Sequence, residues 1–169
     1  MNKAVFIGAL ALAVGGVSTV ALCETPEPRI SAQSMKFTTA GEGLLGDQKA
    51  EAAIDQFETA LAVDPKNVRA YIGLARAHDA LGLPGRAVKF YREGLTIDPS
   101  NLTALEEQGE ALVERGATAR ARKNLERIRD LCERECTQAT RLASAISAGP
   151  PPVESAESVS KSETLPDTN

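Results

Sequence analysis

Two cysteines, Cys132 and Cys136, stand four residues apart in the segment LCEREC. Thiols at such spacing can ligate a metal, exchange disulfides or cross-link the chain, and the thiolate is the reactive form. A zinc site needs about four ligands, and the single histidine, His78, is distant in sequence. The redox motif of thiol enzymes has two intervening residues, whereas Glu133, Arg134 and Glu135 make three here. A structural cross-link carries a geometric condition. On one continuous helix, Cα atoms four apart are about 6 Å from each other and their side chains aim poorly for a bond. A disulfide therefore requires a turn between the cysteines and an oxidising compartment. Cys132 and Cys136 are a candidate disulfide, with free thiols and a reactive pair as the alternatives.

No other residues assemble into a reactive set. His78 has no serine and acid at spacings that define a triad, and reads as a helix-packing ring. Carboxylates are plentiful but scattered over polar faces, with no acid/base pair singled out. The glycines fall at turns and small-residue sites and form no phosphate loop. No catalytic, cofactor-binding or metal-binding residue is assigned, and the chain reads as a non-enzyme. Its 169 residues carry a net charge of −4 without a basic cluster, which argues against nucleic acid as a partner.

The compartment is read from the first residues. Lys3 precedes an apolar run from Ala4 to about Val20 that ends in small residues before Glu24. This is the anatomy of a secretory signal peptide, placed at residues 1–23. Cleavage after Ala21 and cleavage after Cys23 both fit. A third route is lipidation of Cys23, since VALC is similar to a bacterial lipobox, from which Leu22 departs. The expectation is export to the periplasm, with an envelope lipoprotein as the alternative. Membrane contact is expected only if Cys23 is lipidated. Residues 24–33 read as a linker. Residues 148–169 are rich in Pro, Ser and acids and read as a disordered tail.

The elements that must position the cysteines repeat. FETALAVDPKN (Phe57–Asn67) and YREGLTIDPSN (Tyr91–Asn101) align without gaps, with Pro65 and Pro99 34 positions apart. The same step relates small residues (Gly41, Ala75, Gly109), alanines (Ala53, Ala87, Ala121) and large residues (Phe57, Tyr91, Leu125; Phe37, Tyr71, Leu105). Gly82 and Gly116 share another row, in which Gln48 replaces glycine. A repeat of this length, with helical spacing inside it, implies a stack of helix pairs, because one pair cannot bury its apolar face alone. The pattern resembles the tetratricopeptide repeat. Copies fall at about 34–67, 68–101 and 102–135. The third departs where Ile128 replaces a small residue and Glu133 replaces the closing proline. Ala139, Leu142, Ala143 and Ile146 mark a capping helix at 137–147, with Gln138, Arg141 and Ser144 facing away. The expected fold is all-α, a solenoid of about three repeats plus that cap, in a domain spanning 34–147. Its register puts a turn between Cys132 and Cys136.

The resemblance implies a concave groove, lined by the first helix of each copy, that binds a protein or peptide segment. Carried over by position, the groove rows are Thr38, Ile72 and Glu106; Glu42, Arg76 and Glu110; and Leu45, Asp79 and Val113. In the middle row Arg76 is expected either to bridge Glu42 and Glu110 or to offer a cationic contact. The set does not reproduce the Lys/Asn/Arg carboxylate clamp of co-chaperone repeats. The implied role is an envelope adaptor or scaffold with a protein or peptide partner. The alternative is a lipid-anchored structural part of an envelope, secretion or pilus assembly.

Overall fold

A computed structural model of the chain describes residues 30–132 and 136–151. The expected signal segment, Cys23, most of the linker, Glu133 and the tail beyond Pro151 lie outside the described residues. Those described form seven helices: α1 (Ala32–Gly46), α2 (Ala50–Val63), α3 (Val68–Ala80), α4 (Pro84–Ile97), α5 (Leu102–Glu114), α6 (Thr118–Leu131) and α7 (Thr137–Ala148). The all-α repeat architecture is the one the periodicity predicts.

Each boundary has a local cause. Asn67 and Asn101 cap α3 and α5, their side chains accepting from the amides of Ala70 and Ala104. Asp64 and Asp98 organise the preceding turns by accepting from the amides of Lys66 (3.0 Å) and Ser100 (3.2 Å). Pro84 opens α4, where its missing N–H costs little. Gly82 and Gly116 close the first-helix turns with φ of 69° and 71°. The equivalent Gln48 adopts φ 62°, a left-handed conformation costing a non-glycine residue roughly 1–2 kcal/mol.

The small-residue rows set the packing. Ala53, Ala87 and Ala121 are fully buried, so the paired helices approach closely. Phe57, also fully buried, wedges between copies: a Cβ on Gly41 would lie 2.8 Å from its ring, and one on Gly73 would overlap it. Leu142 of α7 fills the matching space beside Gly109, where a Cβ would meet its Cδ1 at 2.5 Å. The departure at Ile128 has a packing reason. In the second copy Gly94 makes room for Tyr71, whose Cβ would be 3.4 Å from an added Cβ. In the third copy Leu105 replaces the tyrosine, and Ile128 and Leu105 are both fully buried in one cluster. The smaller side chain on the first helix leaves room for a larger one on the second.

The stack curves. Helices pair as α1–α2, α3–α4 and α5–α6, and successive pairs pack through α2–α3, α4–α5 and α6–α7. Among the first helices α1 packs against α3 and α5 against α7, whereas α3 and α5 form no comparable contact among the described residues. Neither α2 and α4 nor α4 and α6 form a comparable contact among the described residues. The odd-numbered helices therefore line the inner, concave side.

Candidate functional site on the concave face

The concave face carries a cleft of about 390 Å³ where α1, α3 and α5 converge. Its walls are Glu42 from α1, Val68, Arg69, Ile72 and Arg76 from α3, and Asn101 and Thr103 at the start of α5. The structure thus brings together Glu42, Ile72 and Arg76 from the expected set.

The ion pairs differ from expectation. Arg76 does not bridge Glu42 and Glu110. Its guanidinium instead donates to Glu107, with Nε at 2.9 Å from Oε2 and Nη2 at 2.5 Å from Oε1. That carboxylate favours the charged form of Arg76 and raises its pKa. Glu42 is taken by Arg69 through Nε at 2.6 Å and Nη2 at 2.5 Å. Reading one residue per turn along the stack missed both Arg69 and Glu107. Pairing reaches diagonally from copy to copy, and Arg69 and Glu107 lie within a turn of the positions carried over. Both pairs are exposed on the arginine side, so each contributes at most about 1 kcal/mol to stability. Weak pairs of this kind can exchange partners at little cost.

Several other expected groove residues belong to the interior. Thr38 is fully buried. Its hydroxyl donates to the Ser34 carbonyl (2.9 Å) and accepts from Asn67 Nδ2 (2.9 Å). Val113 is buried in the α3–α7 core, and Leu45 packs against the core around Phe57. Glu106 is buried and accepts from Arg141 Nη1 at 3.3 Å. That contact also corrects Arg141, whose side chain turns toward α5 rather than away from the stack. All three residues of the first row, Thr38, Ile72 and Glu106, are buried.

Asp79 and Glu110 remain half-buried among acids. Burial, and then the neighbouring Glu114, Glu107 and Glu110 carboxylates, push the Asp79 carboxyl up to about 6. Its Oδ1 is buried without a hydrogen-bond partner. Burial and then Glu106 raise Glu110 in the same direction. The folded state therefore holds the Asp79 proton more tightly than the unfolded chain. Stability from this group is present at low pH and is lost as pH rises from about 4 to about 6. Asp79→Asn is expected to stabilise the protein at pH 7 by up to about 1 kcal/mol, allowing for solvent screening. The gain should fade toward pH 3.5. Urea denaturation across that range measures it, and a gain equal at both ends would contradict the assignment.

His78 is buried and stacks on Phe90 of α4, with ring centroids 5.1 Å apart and planes 7° from parallel. Burial, and then the charge of Arg86, lower its pKa. It packs, as its sequence context suggested. Among the described residues no three His, Cys, Asp or Glu side chains are grouped to hold a metal ion, and no helix is long and apolar enough to cross a membrane. Cys132 ends α6 and Cys136 caps α7, both in extended backbone. Their sulfurs stand at bonding distance with Cα atoms 6.3 Å apart, so the two cysteines flank a break between helices.

The chain is similar to several known proteins. Residues 38–101 match the family model described as tetratricopeptide repeat. A curated relative, Superkiller protein 3 of Saccharomyces cerevisiae, is 27% identical over 81 residues. That alignment covers 48% of this chain but only 6% of the relative's length. Among solved structures, the Sgt2 TPR domain of Aspergillus fumigatus superposes with a TM-score of 0.65 at 18% identity, covering 82% of this chain and 89% of that one. The type III secretion chaperone SycD of Yersinia enterocolitica, in complex with a peptide of the translocator YopD, gives 0.63 at 22% identity, with 71% and 95% covered. The second TPR domain of human RPAP3, in complex with an HSP70 peptide, gives 0.63 at 24% identity, with 68% and 95% covered.

Proposed function

This chain carries a tetratricopeptide repeat domain, and on that premise we propose that it is a non-enzymatic adaptor that holds a peptide or protein segment in its concave groove. The observation that carries this reading is the cleft walled by Glu42, Arg69, Ile72 and Arg76. It offers what segment recognition needs. Ile72 supplies an apolar floor, and two arginine–carboxylate pairs can open to meet charges on a ligand. Two of the structural relatives hold peptides, which supports the same use here. Glu42, Arg69, Arg76 and Glu107 are the residues proposed to contact the partner. Asp79 and Glu110 extend the surface toward the ends of α3 and α5.

The proposed setting is outside the cytoplasm, in the periplasm of a bacterial envelope. The apolar run after Lys3 supports it, as does a cysteine pair at bonding distance, since structural disulfides persist in oxidising compartments. Mass spectrometry of the mature N-terminus tests export, and a diacylglyceryl group on Cys23 would replace the soluble form with the lipid-anchored one. The groove is tested in the cell. A photo-crosslinking residue at Thr103 should capture a partner that the same residue at Lys123, on α6, does not. Arg76→Glu should lower that capture at least severalfold. Equal capture by the variant would remove the groove from the account.

A further inference from the structure

The last helix pair leaves a second groove. Two contiguous clefts, of about 850 and 330 Å³, run the length of α7 beside α6 and share Arg129, Ala143 and Ser147. In the earlier copies the helices equivalent to α7, namely α3 and α5, are each packed by the next helix, α4 and α6 respectively. Here α7 packs on α5 and α6, and among the described residues no further helix packs on it. Ala139, Ala143 and Ile146 are left only partly buried along the groove.

We propose that the acidic segment following Pro151 docks in cis along the α6–α7 groove, as a reversible strap over the end of the stack. Three observations choose this occupant. The first is where the chain leaves the fold. Ile146 and Ser147, at the end of α7, share the smaller cleft with Arg122 and Leu125. Gly149, at φ 75°, then turns the chain out of the helix. The segment therefore starts at one end of the groove it would fill. The second is reach. The residues from 152 to 169 can extend over roughly 60 Å, whereas α7 is about 18 Å long. The third is charge. Arg122 and Arg129 of α6 line the two clefts against a single acid, Glu126. The segment carries Glu154, Glu157, Glu163 and Asp167 against Lys161. Opposite signs meet if the segment docks. A second copy would instead set one basic α6 against another.

The floor also suits this occupant. Ala139 and Ala143 make it shallow, and Val153, Ala156 and Val159 are small enough to lie on it. Such contacts are weak between separate molecules. Tethering supplies an effective concentration of about millimolar, enough for docking that salt can undo.

Amide NMR spectra of the full chain provide the test. Glu154→Lys with Glu157→Lys leaves every residue of α1–α7 unchanged, so folding is retained. The amides of Ala143, Ile146 and Ser147 should shift in this variant. About 0.5 M NaCl, which shortens screening to a few ångströms, should move the wild-type amides to the same positions. Adding Arg122→Glu and Arg129→Glu to the lysine variant should restore the original shifts, independently of protein concentration. Unchanged amides would overturn the proposal. So would shifts that grow with concentration alongside a doubled mass in sedimentation, which would make a second copy the occupant.

Discussion

Phe57→Ala is expected to destabilise the fold by about 3–5 kcal/mol, a large part of the total for a small domain. The ring is fully buried and is the wedge between the first and second copies, facing Gly41 and Gly73. Its removal leaves a cavity bounded by two glycines that have no side chains to collapse into it. The same geometry fixes a second sign. Alanine is a better helix former than glycine by about 1 kcal/mol, so Gly73→Ala in an unconstrained helix would stabilise. Here the added methyl overlaps the Phe57 ring, and overpacking of this kind costs about 1–3 kcal/mol. Gly73→Ala should therefore destabilise alone, and less so in a Phe57→Leu background. Urea denaturation of the two single variants and the double gives the coupling directly. A neutral or stabilising Gly73→Ala would mean the ring has room to move.

Asn67→Ala carries the other large expected effect, a loss of about 2–4 kcal/mol. Asn67 is a buried hub. Its Nδ2 donates to Ser34 Oγ (2.7 Å) and Thr38 Oγ1 (2.9 Å), and its Oδ1 caps α3 through the Ala70 amide (3.2 Å). Ser34 Oγ in turn donates to the Ala60 carbonyl at 2.8 Å, so one side chain ties α1, α2 and α3 together. Loss of the cap costs about 1 kcal/mol, and buried hydroxyls left without a partner add about 1–3 kcal/mol. Asn101→Ala serves as the comparison. Asn101 caps α5 in the same way but is only half-buried, and its amide reaches Asp98 instead of a second helix. It should lose only the capping contribution. Equal losses at both positions would show that the buried network around Ser34 and Thr38 adds nothing.

The contrast between the two asparagines shows what sequence periodicity carries and what it omits. The 34-residue step identifies both as turn residues, because DPKN and DPSN occupy the same place. It does not distinguish their side-chain partners, which depend on Ser34 and Thr38 standing opposite one and not the other. The same holds for Gln108, which takes a row held by Leu74 in the second copy. It is buried because Asn124 Nδ2 donates to its Oε1 at 3.0 Å and its own Nε2 reaches the Val88 carbonyl at 3.2 Å. Pairs of compensating polar residues are invisible when each row is read by itself. The helices were legible because burial in a repeat follows spacing. The groove was legible only in part. Glu42, Ile72 and Arg76 converge, but a single turn of helix separates a concave residue from a buried one, and Thr38 and Val113 fall on the wrong side of that line. Charge pairing was least legible, since long side chains reach past the residue opposite. Arg76 therefore meets Glu107 rather than Glu110.

The claim on which the account turns is that the inner face, and not the outer one, meets the partner. Amide NMR of the full chain, titrated with the segment identified by in-cell crosslinking, tests it most directly. The account predicts shifts concentrated at Glu42, Arg69, Ile72, Arg76 and Thr103, with weaker binding by Arg69→Glu and Arg76→Glu. Shifts confined to the outer faces of α2, α4 and α6, with those two variants binding normally, would contradict it.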